Sequence, residues 1–281
     1  MPASAPPSAP VPSRRRRLAG LRAVVTGGSS GVGAAVARGL AARGCAVLAT
    51  ARRADRLAAL AAERPGAGPP IAVLAGDVTD AAFRRRLVAA ADERLGGLDL
   101  LVAAAGCGAI GPFRDGSAAT FARVVDVDFL APAELVRECL PSLARGTDPA
   151  VVLVGSILGL HPLPLHGEYC AAKAALTALA GTLRLELAGD GIDVLLASLG
   201  PVESEFWDNL LAGRRPPWSR GRRMPADRAA AAILRGLERR RREVVPGWQA
   251  RGYALAARLA PWLIDALAAR HLRRAATGDR A

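Results

Sequence analysis

The chain predicts an α/β fold: a single doubly wound domain around a parallel sheet, followed by a C-terminal helical extension. Three observations carry that expectation. Short aliphatic runs alternate with longer amphipathic segments from Leu21 onward, the pattern of βαβ units. The first run passes straight through a glycine-rich turn into a helical segment, and after Val245 the alternation stops at Pro246-Gly247-Trp248. Taken in order, strands are expected at 23–25, 46–49, 71–74, 98–104, 151–154 and 192–197, each an apolar run of strand length. Helices are expected at 34–42, through Leu57 and Leu60, over 118–143 and over 169–187. The expected organisation is a disordered basic tail over 1–17, the α/β domain over 18–245 and a helical appendage over 246–281. No internal repeat is visible.

At 281 residues the chain is long enough to bury one sizeable core. With 51% apolar and only 4% aromatic residues, that core has to be built from Ala, Val and Leu. The net charge of +13 raises nucleic acid or an acidic membrane as partners. The arginines are scattered over many segments, however, and the aromatic interleaving of a single-strand binding face is missing. Lys173 is the only lysine and Asn209 the only asparagine, so the charge reads as compositional bias, and no nucleic-acid partner is expected. Cys45, Cys107, Cys139 and Cys170 form no CxxC pair and no ligand cluster with His161, His166 or His271. Buried reduced thiols, no metal site and a cytoplasmic location are therefore expected. The Pro- and Ser-rich start turns basic with no apolar segment behind it, unlike a secretory signal.

The first strand leads into Thr26-Gly27-Gly28-Ser29-Ser30-Gly31-Val32-Gly33. Glycine there allows positive φ and a close backbone approach to a diphosphate, while the helix N-terminus beyond offers unpaired N–H groups. That context makes the domain Rossmann-type and the turn a dinucleotide site. Past the second strand, where an acidic residue would hold the ribose of NAD, stand Arg52 and Arg53. Arg52 is placed for a 2′-phosphate, which predicts NADP(H) in preference to NAD(H); the alternative is a solvated arginine at a helix start. Asp77 and Val78 end the third strand, where Asp77 meets an adenine edge or caps the helix before Ala81.

Tyr169 and Lys173 stand at i, i+4 at the start of a helix, with the phenol and ammonium on one face. A free phenol titrates near about 10; a neighbouring ammonium and the positive charge of a bound nicotinamide lower that value and make the hydroxyl a usable acid or base. Ser156, just after the fifth strand, is placed to donate to a substrate oxygen. In a chain so rich in arginine, the sole lysine standing one turn after a tyrosine points to a role arginine does not fill.

The glycine turn, Ser156 and Tyr169-Cys170-Ala171-Ala172-Lys173 together resemble the short-chain dehydrogenase/reductase family, over roughly 21–245. The resemblance implies an NADP(H)-dependent oxidoreductase. It moves a hydride between the nicotinamide and a ketone, aldehyde or secondary alcohol, with Tyr169 as general acid/base. It also implies that Lys173 holds the nicotinamide ribose and tunes Tyr169, and that Ser156 steadies the developing oxyanion. Gly200, Val202 and Ser204 resemble the segment that backs the nicotinamide carboxamide, and Ala104 and Gly106 follow the fourth strand at the cofactor. Three positions depart from the family pattern. Ala103 stands for an Asn, which is expected to loosen strand packing; Leu199 stands for a Pro; and Asp128 aligns with the helical Asn of the catalytic set, where an interaction with Lys173 is one way it substitutes. A catalytically weak NADP(H)-binding sensor or scaffold is the alternative these departures leave open. The family further implies a homodimer or homotetramer through the helices near 118–143 and 169–187.

After the sixth strand, Phe206, Trp207, Leu210 and Leu211 read as a lid on an apolar small-molecule substrate or as ordinary helix packing, with Arg214, Arg215 and Trp218 beyond. In the appendage, Leu255, Leu259, Trp262, Leu263 and Leu267 lie among arginines. That pattern suits an anionic membrane surface. Packing across a dimer or over the substrate mouth is the favoured expectation, because Pro261 and Asp265 interrupt a long insertion face.

Overall fold

The strands are β1 (Arg22–Thr26), β2 (Ala46–Ala51), β3 (Ala72–Ala75), β4 (Leu100–Ala103), β5 (Ala150–Ser156), β6 (Asp193–Leu199) and β7 (Glu243–Val244). They form one parallel sheet in the order β3-β2-β1-β4-β5-β6-β7. The structure, a computed structural model, describes residues 15–63, 68–215 and 223–278. All six apolar runs are strands; β7 has two residues, too few to carry a period. Successive residues of β1 face opposite sides: Ala23 and Val25 join one core cluster, Val24 the other. On the first face α1 (Gly31–Ala41) and α7 (Ala226–Glu238) supply Val36, Leu40, Ile233 and Leu234. On the second, α3 (Ala81–Leu95), α5 (Ala131–Leu143) and α6 (Gly167–Glu186) supply Phe83, Leu87, Leu135 and Leu176. Burial on both faces is why these strands read as unbroken apolar runs.

The chain moves outward from β1 to β2 and β3, then crosses back to place β4 on the other side of β1. The crevice beyond the carboxyl ends of β1 and β4 is the switch point where such sheets bind ligands. α2 (Ala54–Ala62) follows β2. The long helix expected over 118–143 is α4 (Ala118–Val125) and α5 joined by a π turn, Asp126–Leu130. One wide turn keeps the helix continuous, and turns of this kind recur at functional sites.

The expected disordered tail is corrected at its end; residues 1–14 lie outside the described residues. Arg16 is buried, its guanidinium 2.8 Å from Asp193, 3.2 Å from Asp148 and 3.2 Å from the Leu237 carbonyl. A guanidinium carries enough donors to be buried when carboxylates and carbonyls surround it, and those partners lie far along the chain. All four cysteines are free and buried. The appendage is α8 (Trp248–Leu259) and α9 (Pro261–Gly278). No described helix is long and apolar enough to cross a membrane.

Candidate active site

The glycine turn is closed by contacts that leave no room for side chains. Gly27 has φ of +71°, and a Cβ there would stand 2.8 Å from the Ala104 carbonyl oxygen. A Cβ on Gly33 would stand 2.3 Å from the Gly27 carbonyl oxygen. Ser30 caps α1 without a side-chain hydrogen bond, so the first N–H groups of the helix stay available to an anion. Gly33→Ala is expected to cost at least about 1–3 kcal/mol through overpacking. A thermal melt reads this as a Tm lower by several degrees, and dinucleotide affinity falls with it; an unchanged melt and affinity would show that the turn has slack.

From this turn a cavity of about 510 Å³ runs across the ends of the strands to Tyr169. Gly27, Ser29, Ser30, Gly31, Val32 and Gly33 border one end, with Arg52 beyond β2 and Asp77 and Val78 beyond β3. Ala104, Gly106 and Asp128 border the middle. Ser156, Tyr169, Lys173, Gly200, Val202 and Ser204 border the far end. The glycine contacts leave a cradle that fits a dinucleotide.

At the far end, Lys173 Nζ lies 5.8 Å from the centre of the Tyr169 ring. The same ammonium is 2.8 Å from Asp128 Oδ1 and donates to the Val154 carbonyl at 3.1 Å. Both members of this ion pair are buried. The Cys107 backbone N–H donates to Asp128 Oδ2 at 3.0 Å, which orients the carboxylate. Gly106 is packed against the pair, since a Cβ there would stand 2.9 Å from Asp128 Oδ1. Ser156 Oγ accepts from the Leu158 N–H at 3.1 Å, and the serine hydroxyl pulls the Tyr169 pKa downward.

The model of the family described as "short chain dehydrogenase" matches residues 22–215. This chain belongs to the short-chain dehydrogenase family. A short chain dehydrogenase of Pseudocercospora fijiensis is 36% identical over 192 residues, 68% of this chain but 62% of that protein. The human mitochondrial dehydrogenase/reductase SDR family member 2 is 36% identical, the match covering 69% of each chain. Among solved structures, a dehydrogenase/reductase from Sinorhizobium meliloti 1021 is 32% identical, with a TM-score of 0.72 over 81% of this chain and 93% of that one. An alcohol dehydrogenase from Thermococcus sibiricus, complexed with 5-hydroxy-NADP, is 28% identical with a TM-score of 0.70, over 79% of this chain and 94% of that one. The family is one of NAD(P)-dependent oxidoreductases.

Electrostatics at the far end of this short-chain dehydrogenase set burial against the ammonium. The ammonium lowers the phenol's pKa as expected, yet burial outweighs it and Tyr169 is raised above its ordinary value. Burial is the largest cause, Lys173 pulls the other way, and Asp128 pushes it up again. Burial also works against the Lys173 ammonium, yet Asp128 and Tyr169 outweigh it and Lys173 ends raised. The phenol is therefore held protonated beside a charged lysine. At Asp77, burial pushes upward, but hydrogen bonds from Thr79 and Arg123 win and hold the carboxyl below its ordinary value. Asp77 Oδ2 accepts from Arg123 at 2.7 Å. It does not cap α3: the cap is Asp80, which accepts from the Ala82 N–H at 2.8 Å.

At the ribose end of the short-chain dehydrogenase site, the tether of Arg53 had no sequence signal of its own. Arg52 is exposed at the cavity with no hydrogen bond or ion pair among the described residues, whereas Arg53 beside it is tied down. Arg53 donates to Ser29 Oγ at 3.0 Å and Ser30 Oγ at 2.9 Å, and pairs with Glu205. The sequence singles out Arg52 by its place past the second strand and gives no sign that Arg53 is tethered. Ala103 does not leave the strands loose. It is buried, and the Thr26 hydroxyl accepts from the Ala104 and Ala105 N–H groups, both at 3.0 Å. Leu199 is buried in the core.

Among the described residues, the segment after β6 contains a single 3-10 turn, Glu205–Trp207, in place of a helix pair. The Phe206 ring stands edge-on to Tyr169 at 5.5 Å and to Trp207 at 5.6 Å. Phe206, Trp207 and Leu211 border the cavity; Leu210 packs towards Gly108. Arg215 stacks on the Trp207 ring at 5.3 Å. Trp218 lies outside the described residues. From α8, Tyr253 borders the cavity and its hydroxyl donates to the His161 carbonyl at 2.8 Å, so the appendage reaches the cavity wall.

Proposed function

We propose that this short-chain dehydrogenase is an NADP(H)-dependent carbonyl reductase or alcohol dehydrogenase acting on an apolar small molecule, with Tyr169 as its general acid/base. The observation that carries the reading is one cavity bordered at one end by the glycine turn and at the other by Ser156, Tyr169 and Lys173. The turn and the N-terminus of α1 hold the diphosphate. Arg52 meets the 2′-phosphate, and Tyr169 with Lys173 holds the nicotinamide ribose. When bound, the cofactor supplies or accepts the hydride. Ser156 donates to the substrate oxygen and steadies its developing charge. Tyr169 gives that oxygen its proton in reduction and takes it back in oxidation. The raised phenol pKa favours the protonated form that reduction uses. Lys173 keeps a positive charge beside the phenol, and Asp128 positions that charge and moderates it.

Phe206, Trp207 and Leu211 support an apolar ketone, aldehyde or secondary alcohol as substrate. Four buried thiols suit a reducing, cytoplasmic compartment. Leu130 and Leu185, exposed on or beside the helices from which the family's assemblies are built, support a homodimer or homotetramer.

The test is NADPH consumption over a panel of ketones and aldehydes, with Arg52→Ala in parallel. Loss of a charge-assisted contact worth about 1.5–3 kcal/mol is expected to weaken NADPH roughly ten- to a hundredfold and leave NADH almost unchanged. Equal affinity of the parent for both cofactors would remove the preference. A catalytically weak NADP(H)-binding sensor is the second reading, favoured by the hold of Asp128 on Lys173. Tight NADPH binding with no turnover across the panel would select it.

A further inference from the structure

The C-terminal helices carry their large apolar side chains outward. On α8 it is Ala250 and Ala254 that are buried against the body, with Ala250 abutting Gly200. Trp248, Leu255 and Leu259 point away, 80%, 59% and 74% exposed, and their spacing lines them along one face of the helix. On α9 Ile264 is buried, while Trp262 is 68% exposed and Leu263 and Leu267 stack at i, i+4 in solvent. Of the twelve exposed large apolar side chains in the described residues, seven lie between 248 and 272. Single exposed leucines need no explanation, but a concentration of this kind marks a contact surface.

Charge selects the occupant. Arg251 and Arg258 run beside the stripe on α8, and Arg270 and Arg273 stand on α9, all exposed. Arg258 reaches back to Glu243 and Arg251 to the Val245 carbonyl, which anchors both at the edge of the face. Asp265 is the only acidic residue in the described part of the two helices, and it is held by His161 at 2.8 Å. A second copy of this chain would bring the same arginines to the contact, with Asp265 the single acidic residue in the described part of the two helices to meet them. A layer of acidic headgroups over hydrocarbon meets both the cations and the apolar side chains, and tryptophan suits that half-wet depth. The two interruptions expected from the sequence do not break the face: Pro261 opens α9, where its missing N–H costs nothing, and Asp265 is engaged by His161.

We propose that α8 and α9 dock the protein on an anionic membrane surface, with Trp248, Leu255, Leu259 and Trp262 entering the headgroup boundary and the arginines on the phosphates. Because Tyr253 of α8 borders the substrate end of the cavity, docking brings the cavity close to the lipid, an orientation that suits a lipophilic carbonyl compound. That last point rests on the reductase reading; docking itself does not.

The full chain is expected to cosediment with phosphatidylglycerol/phosphatidylcholine vesicles, weakly or not at all with phosphatidylcholine alone, and to be released by added salt. The double variant Leu255→Glu, Leu259→Glu should bind the acidic vesicles at least about tenfold more weakly, as expected when apolar insertion is replaced by repulsion. These side chains are exposed, so the variant should keep the parent's NADPH affinity and melt, which separates loss of docking from loss of fold or of the cofactor reading. No binding of the full chain to acidic vesicles would overturn the proposal, as would equal binding by the variant. So would a self-associated parent that the variant dissolves to monomer without any change in vesicle binding.

Discussion

Tyr169→Phe is expected to lower kcat by about 10²–10⁴-fold, the usual worth of a positioned proton donor, while NADPH loses at most one hydroxyl's contact with the ribose and still binds through Lys173 and the glycine turn. The substitution removes one oxygen and leaves the ring against Phe206, 5.5 Å away, and within reach of Lys173. Packing and the ammonium's position survive; the proton does not. A fluorescence titration with NADPH and a single-turnover measurement on the same preparation separate the two effects. Turnover retained within a few-fold would sink the assignment of Tyr169 as the acid, and lost cofactor binding would mean that the hydroxyl is needed to hold the cofactor, so that the lost turnover no longer assigns it as the acid.

Asp128→Asn is expected to move the pH dependence toward acid. Asp128 raises the phenol's pKa, and it also raises that of Lys173. Removing its charge while the lysine stays protonated leaves the ammonium unopposed, so the phenolate forms at lower pH. The rise of alcohol oxidation with pH should therefore begin earlier, and carbonyl reduction should fail earlier on the alkaline side. Asparagine keeps an oxygen for the Cys107 N–H, so the local backbone keeps its partner. The buried ammonium loses its counter-charge, and breaking a buried pair commonly costs about 3–5 kcal/mol, which a lower Tm would register. A purely structural role predicts the lower Tm with both pH limbs unmoved, and that result would refute the electrostatic role.

Much of this arrangement could be read along the chain. Strands buried on both faces become unbroken apolar runs, and β1, β2 and β4 to β6 were legible for that reason. The glycine turn announces itself because only glycine tolerates the 2.3 Å approach at Gly33, and Tyr169 and Lys173 because one helical turn brings them to one face. Arg16 was misread because a run of arginines looks solvated until Asp148 and Asp193 arrive from distant loops. Arg52 and Arg53 are neighbours of identical type, and only the position of Ser29, Ser30 and Glu205 shows that the second is tethered.

What the sequence alone determined, then, is everything set by local periodicity: the α/β class, the dinucleotide turn, and the tyrosine and lysine on a shared helix face. Folding decided the rest. The sign of the shift at Tyr169, the grip of Asp128 on Lys173 and the outward turn of the leucines on α8 depend on what stands across a few ångströms of space from residues remote in the chain. Burial and Coulomb interaction act through distance, and a linear order of residues does not contain it.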